Sequence, residues 1–424
     1  MKRLVCMASL CLGVCASGAY AADVSVWGSL GQILEASDNY FLQNTPLGTT
    51  FKSLSTVNLN VLARTPGWRY LLSSNVSYYN YFGDGADAAN PTSGTPINET
   101  FRVDHATDFA RYFAAATYTR ADVAATQLRE SGITTEKGTI NSFRAVGGGT
   151  HDLNRIDSLS WSVQANRTTF DNDPGQTPFT DLGATIAWTR LLNPGTSWTN
   201  SVNFDWLDAD DIGKSQRLFW QIMTGVKSQL TRRLTVTASV GAAFANAYQT
   251  APAPVITTST FIQSGAASSV VATGTLSYLL LKNTSVTLSA AHLIVPTSFG
   301  QLQKTTTAGF TLSHDINHWS NIAVSANVAH TESGVNFLTT GPADFFSAQI
   351  AYTYLLARDW RARLSYTYRQ RHDDTGTATA NVGLLSLVYN FNLMGNPAAI
   401  DNVERERAAI RQQRAIGDVF PTLQ

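Results

Sequence analysis

From residue 23 onward the chain consists of strand-length segments in which apolar residues alternate with uncharged polar ones. Leu159, Trp161, Val163 and Ala165 stand against Ser160, Ser162, Gln164 and Asn166. Trp198, Val202, Phe204 and Trp206 stand against Thr199, Ser201, Asn203 and Asp205, and Ile322, Val324, Ala326 and Val328 against Asn321, Ala323, Ser325 and Asn327. A β-strand sends successive side chains to opposite faces, so each segment has one apolar and one polar face. In a soluble sheet the polar face would be surface and rich in charge. Here it is Ser, Thr, Asn, Gln and Gly, and charged residues are only 14% of the chain, against about 25% in soluble globular proteins. The apolar faces often end in Trp or Tyr. Apolar outside, aromatic at the ends and polar inside is the pattern of a transmembrane β-barrel. Beyond the N-terminus no apolar run reaches the roughly 18 residues that a spanning helix needs.

The first 22 residues read as a secretory signal, removed on export. Lys2 and Arg3 form its charged region, Leu4 to Val14 its apolar region, and Ala19-Tyr20-Ala21 the small-x-small cleavage pattern. All three cysteines (Cys6, Cys11 and Cys15) fall inside it, so disulfides, thiolate metal sites and cysteine nucleophiles are not expected in the mature chain. Formal net charge is zero for the whole chain and slightly acidic without Lys2 and Arg3, which gives nucleic-acid binding no electrostatic support.

Short and longer connections alternate along residues 23–393. The short ones are Arg64-Thr65-Pro66-Gly67, Arg120-Ala121-Asp122, Asn154-Arg155-Ile156-Asp157, Asn193-Pro194-Gly195, Thr231-Arg232-Arg233, Lys282-Asn283-Thr284, Asn317-His318-Trp319 and Arg358-Asp359-Trp360. The longer ones fall near 38–50, 83–103, 132–142, 170–178, 208–214, 248–266, 296–304, 332–342 and 372–377. Together they predict an all-β fold: a single closed antiparallel barrel of about 18 strands, with 16 as the alternative count and both chain ends on the short-turn side. Alternation is weakest at Val123–Ser131 and Phe143–Asp152. Gly147-Gly148-Gly149 reads as a place of close strand approach, not a phosphate loop. No plug-sized segment precedes the first strand and no passenger region is present, which argues against an energy-coupled receptor and an autotransporter.

The last strand spans about Thr377 to Leu393, with Gly383, Leu385, Leu387, Tyr389 and Phe391 on one face. Residues 394–424 follow as a tail. Ile400, Val403 and Ile410 against Glu404, Arg405, Glu406, Arg407, Arg411 and Arg414 predict a short periplasmic helix. It is either a solvated helix or an element docked at the periplasmic mouth.

The candidate functional residues are basic and face inward. In Arg361-Ala362-Arg363-Leu364-Ser365-Tyr366-Thr367-Tyr368-Arg369-Gln370-Arg371, alternation puts Arg361, Arg363, Arg369 and Arg371 opposite Leu364, Tyr366 and Tyr368. By the same phase Arg69, Arg111, Arg217 and Lys227 face inward. Two readings stay open: these groups attract anions into a pore, or they pair with Asp205 and other acids to hold the wall. A barrel of this size is about 35 Å across between backbones.

Other chemistry finds little support. The seven histidines are scattered without metal-ligand spacing, and no cofactor is expected. The least favoured function is an outer-membrane lipid-modifying enzyme: His292 and His330 fall on the lipid side near the loop ends, but no nucleophile pairs with either, so the chain is not expected to be an enzyme.

Ser37-Asp38-Asn39-Tyr40, Ser77-Tyr78-Tyr79-Asn80-Tyr81-Phe82 and Ala357-Arg358-Asp359-Trp360-Arg361 resemble the β-barrel porin 2 group, across most of residues 23–393. That resemblance implies a Gram-negative outer-membrane barrel, and a passive conduit for exopolysaccharide export. The alternative is a diffusion porin for small anionic or neutral solutes. Expected partners are outer-membrane lipid, the barrel-assembly machinery and polysaccharide export components at the periplasmic mouth.

Overall fold

A computed structural model describes residues 23–394 apart from 90–92, 124–125, 127–137, 172–175, 211–214, 252–260, 297–301 and 334–341. The signal segment and the tail from residue 395 lie outside the described residues. Eighteen antiparallel strands form one sheet: β1 (Asp23–Ser37), β2 (Thr50–Thr65), β3 (Trp68–Phe82), β4 (Ile97–Ala106), β5 (Ala110–Asp122), β6 (Thr139–Asp152), β7 (Asp157–Asp171), β8 (Phe179–Asn193), β9 (Thr196–Ala209), β10 (Gln216–Thr231), β11 (Leu234–Ala251), β12 (Phe261–Leu281), β13 (Thr284–Pro296), β14 (Leu302–Asn317), β15 (Ser320–Ser333), β16 (Ala343–Leu355), β17 (Trp360–Asp373) and β18 (Gly376–Met394). Each pairs with its neighbours in sequence, and β1 also pairs with β18 from Val26↔Met394 to Ser37↔Val382. That pairing closes the sheet and leaves no edge, which a membrane-spanning sheet requires because lipid offers backbone groups no hydrogen bonds. One short helix, α1 (Asp84–Ala89), follows β3. Asp23, opposite Arg64, and Met394 both lie at the short-turn rim.

Alternation is read directly from exposure. On β17, Leu364 (60% exposed) and Tyr366 (49%) face outward, while Ser365 (4%) and Thr367 (8%) face inward. Outward Leu30, Val57, Val163, Ile186, Val202, Ile222, Val240, Leu288, Val328 and Leu385 continue this apolar belt around the wall. Toward the short turns it ends in Trp68 stacked on Tyr70, in Trp188 against Trp198, and in Tyr389 against Trp360 and Phe391. Toward the longer loops the outward positions become ionic: Arg167 with Asp210, Lys304 with Glu332, His330 with Asp344. An apolar belt between an aromatic girdle and a charged rim is the exterior of a transmembrane barrel.

The connection between β4 and β5 differs from the sequence expectation. Its turn is Thr107-Asp108-Phe109, not Arg120-Ala121-Asp122, and residues 120–122 complete β5. Thr107 closes the turn: its amide donates to the Ala110 carbonyl at 2.8 Å, and its hydroxyl accepts from the Ala110 amide at 3.1 Å. A Thr-Asp pair is an ordinary turn signal, but Phe109 hides it in an apolar reading. Consequently the longer connections here are 83–96 and 123–138; Val123 and Thr126 are not strand, and the rest of the Val123–Ser131 stretch lies outside the described residues. One predicted strand moves, so the total of 18 stands. Gly148 does mark close approach: a Cβ there would meet the Trp161 carbonyl oxygen at 2.5 Å and the Phe113 ring at 2.9 Å.

Candidate pore

Every candidate residue faces the interior, but their surroundings divide by height. Arg361 and Arg363 follow the short turn before β17, Arg69 and Arg111 follow those before β3 and β5, and Lys227 precedes the one after β10. In this turn-side half Arg111, Lys227, Arg361 and Arg363 are exposed and Arg69 is half-buried. Arg363 donates weakly to Gln349 at 3.4 Å. The acids that alternation places on the same wall are Asp104, paired with Arg102 at 2.7 Å, and Asp23, Asp152 and Asp315 near the rim. Asn and Ser side chains bonded across strands, such as Asn58 to Ser29 and Ser73 to Asn60, make up much of the remaining lining.

In the loop-side half the interior is packed. Arg369 is half-buried and Arg371 is 7% exposed, with its Nε 3.1 Å from Asp373 and its Nη2 donating to Asn44 at 3.3 Å. Across the lumen Arg217 (5% exposed) meets Asp205 (0%) at 3.4 Å, with Asp181 as the second acid interacting with both. Next to them Phe219, Ala243, Ala245, Val271, Ala291 and Leu293 form a dry cluster on the inner wall of β10 to β13. The expectation of a polar, wet interior is therefore corrected for this half, and in the turn-side half at Trp27 and Leu62, which pack with Leu71 on the inner wall of β1 to β3. Arg217 and Arg371 hold the wall, and the apolar phase that places Phe244 and Val270 outward gives no hint that inward Phe219 and Val271 pack together.

The first loop, residues 38–49, supplies much of the packing opposite. Asp38 accepts from the Asn381 amide at 2.7 Å. Asn39 Nδ2 donates to the Gln43 and Thr379 carbonyls at 2.7 and 3.0 Å, and Asn44 Nδ2 to the Thr375 carbonyl at 2.8 Å. Leu42, with φ of 52°, is fully buried against Ala378, Ala380 and Phe345, all on the inner wall. Inward-facing Lys52 lies 5.0 to 5.4 Å from the ring centres of Tyr40, Tyr79 and Tyr81 and donates to the Tyr40 hydroxyl at 2.9 Å. Tyr79 in turn donates to Asp122 at 2.8 Å. Burial pushes the Tyr40 phenol well above its ordinary range, so it stays a neutral partner for the ammonium. Two sequence stretches singled out above, Ser37–Tyr40 and Ser77–Phe82, thus meet in one lock that holds this loop inside the barrel mouth. Among the described residues no group of His, Asp or Glu converges as a metal site.

No family description matches the sequence, and no curated protein matches it. Solved structures do resemble the fold. OpdL of Pseudomonas aeruginosa aligns with a TM-score of 0.47 and 9% identity over 88% of this chain and 99% of its own. OccAB2 of Acinetobacter baumannii aligns at 0.48 and 9% over 88% and 98%. OccK2 (OpdF) of Pseudomonas aeruginosa, in complex with glucuronate, aligns at 0.46 and 8% over 88% and 98%. Likeness at this level is to the barrel and carries nothing about cargo.

Proposed function

We propose that the protein is an outer-membrane diffusion channel for small solutes, with a bias toward anions. The observation that carries this reading is the division of the lumen. Four exposed cationic side chains (Arg111, Lys227, Arg361 and Arg363) line the turn-side half, whereas the locked first loop and the dry cluster narrow the loop-side half. A basic vestibule concentrates small anions, and the guanidinium fork suits carboxylate, sulfate or phosphate. The polysaccharide conduit expected from the resemblance needs a lumen wide enough for a hydrated polymer along its whole length, and a mouth with an inward-folded loop favours the small-solute alternative. In this reading the loops face outside and both chain ends face the periplasm. The closing strand β18, with Gly383, Leu385, Leu387, Tyr389 and Phe391 outward, is what the assembly machinery would receive.

The reading is tested by swelling of proteoliposomes in isotonic solutes of graded size. Monosaccharides and small carboxylates are expected to enter quickly, and dextran oligomers to be excluded. Ready entry of dextran, or no entry of any solute, would overturn it.

A further inference from the structure

A row of histidines crosses the outer face of the barrel on its loop-side third. The register places His292, Thr306, His330, Asp344, His372 and Thr377 directly opposite one another on six consecutive strands, β13 to β18. All share the outward phase of Leu288, Val328, Ile350 and Leu364. They are bonded in pairs: His292 to Thr306 at 2.7 Å, His330 to Asp344 at 2.7 Å, His372 to Thr377 at 2.8 Å. None lines the lumen, so the channel reading leaves them unused.

Within this row lies a groove of about 430 Å³ on the membrane-facing surface. The register sets Ala308, Val328 and Phe346 in its lower row, with Gln370 at the β17 end of that row, and Thr306, His330, Asp344 and His372 in its upper row. The lower residues continue the apolar belt; the upper ones begin the polar rim. A ligand filling both must be an amphiphile lying along the wall, chain in the belt and headgroup at the rim. The headgroup side carries a carboxylate that is 62% exposed and a ring that is 46% exposed, and the Gln370 amide, opposite Phe346, borders it from the lower row. Bonded to only one oxygen of the carboxylate, His330 leaves acceptor capacity open. Acceptors and amide donors beside an aromatic face match vicinal sugar hydroxyls. A bare phosphate would meet the charge of Asp344 at close range, and the nearest outward lysine, Lys304, is taken by Glu332 at 2.7 Å.

We propose that this groove is a binding site for a glycolipid, with an acyl chain over Ala308, Val328 and Phe346 and sugar hydroxyls on Asp344 and Gln370. The site requires the barrel to be embedded in a membrane, but not any particular cargo in the lumen. Full-length protein in neutral polyoxyethylene detergent, examined by native mass spectrometry, tests it with three probes of equal chain length: dodecyl maltoside, dodecylphosphocholine and a twelve-carbon lysophosphatidylglycerol. The maltoside is expected to be retained best. Asp344→Asn is expected to weaken its retention about tenfold, the effect of losing one charge-assisted hydrogen bond. Val328→Trp, which fills the groove and leaves the polar row intact, should remove it, while Val202→Trp on the far wall should change nothing. Heat-modifiable gel migration confirms that each variant is a closed barrel. Equal retention of the three probes, stronger retention of a phosphate-bearing probe, or maltoside retention unaffected by Asp344→Asn and Val328→Trp would each overturn the proposal. Proteoliposome swelling is read separately, so failure of the channel reading leaves this outcome distinct.

Discussion

Replacing Leu42 with Ala tests whether the first loop is fixed by its own packing. Leu42 holds a left-handed φ of 52°, which costs a residue with a Cβ roughly 1–2 kcal/mol. Its side chain offsets this by filling the space between Ala378, Ala380 and Phe345, where it is fully buried. Truncation of a buried Leu costs about 2–5 kcal/mol, and in Leu42→Ala the backbone strain remains. The other anchors on β17, β18 and their turn are the hydrogen bonds that Asp38 accepts from Asn381 and the side-chain hydrogen bonds of Asn39, Asn44 and Arg371, each worth about 1 kcal/mol net. A loss near 3 kcal/mol lowers the docked-to-undocked ratio by more than a hundredfold, enough to make undocking visible. In planar bilayers the wild type is expected to give one quiet conductance level. The variant is expected to add a larger level with frequent transitions between the two. The same single level and the same noise in both proteins would refute the idea that Leu42 packing holds the loop.

Two further outcomes follow from the faces and the buried charges. Ile186→Arg puts a charge on the lipid side of β8 and is expected to destabilise the barrel by about 2–4 kcal/mol, whereas Thr185→Arg, one residue away and inward, is tolerated; urea unfolding in lipid vesicles compares them. Arg217→Met leaves Asp181 and Asp205 buried without their cation and is expected to lower stability by about 3–5 kcal/mol, with Arg217→Lys recovering part of it in the same assay.

The barrel was legible in the sequence because lipid and lumen impose opposite demands on alternate residues. Asp23–Ser37 and Trp68–Phe82 are strands at the expected boundaries, since the tight Thr65-Pro66-Gly67 turn and the polar 38–49 stretch bracket them. The β4–β5 turn was not legible: Phe109 is apolar, and the Ala-rich run of β5 alternates weakly. The inward phase of all eight basic residues could be read from alternation, but their burial could not, because burial depends on what folds against the wall. Arg371 and Arg361 look alike in sequence; only Asn44 and Asp373 nearby make the first a structural anchor. The dry cluster around Phe219 escaped because inward Ala243, Ala245 and Ala291 look like neutral lining until Phe219 and Val271 are seen packed among them. The apolar run Tyr40-Phe41-Leu42 in the first loop was the available sign that the loop turns inward.

In the proposed channel the exposed cations of the lumen select anions. An ion about 10 Å from each of four charges gains roughly 0.4 kcal/mol from each in water, reduced to about a third by screening at 0.1 M salt. The sum enriches chloride about threefold and depletes potassium about threefold, a preference of roughly eightfold that Asp23, Asp152 and Asp315 at the rim offset in part. The direct measurement is the reversal potential in planar bilayers under a potassium chloride gradient, for wild type and for Arg111→Gln, Lys227→Gln, Arg361→Gln and Arg363→Gln combined. The wild type is expected to give an anion-selective potential that moves toward zero or cation selectivity in the variant. An identical potential in both proteins, with conductance intact, would contradict it.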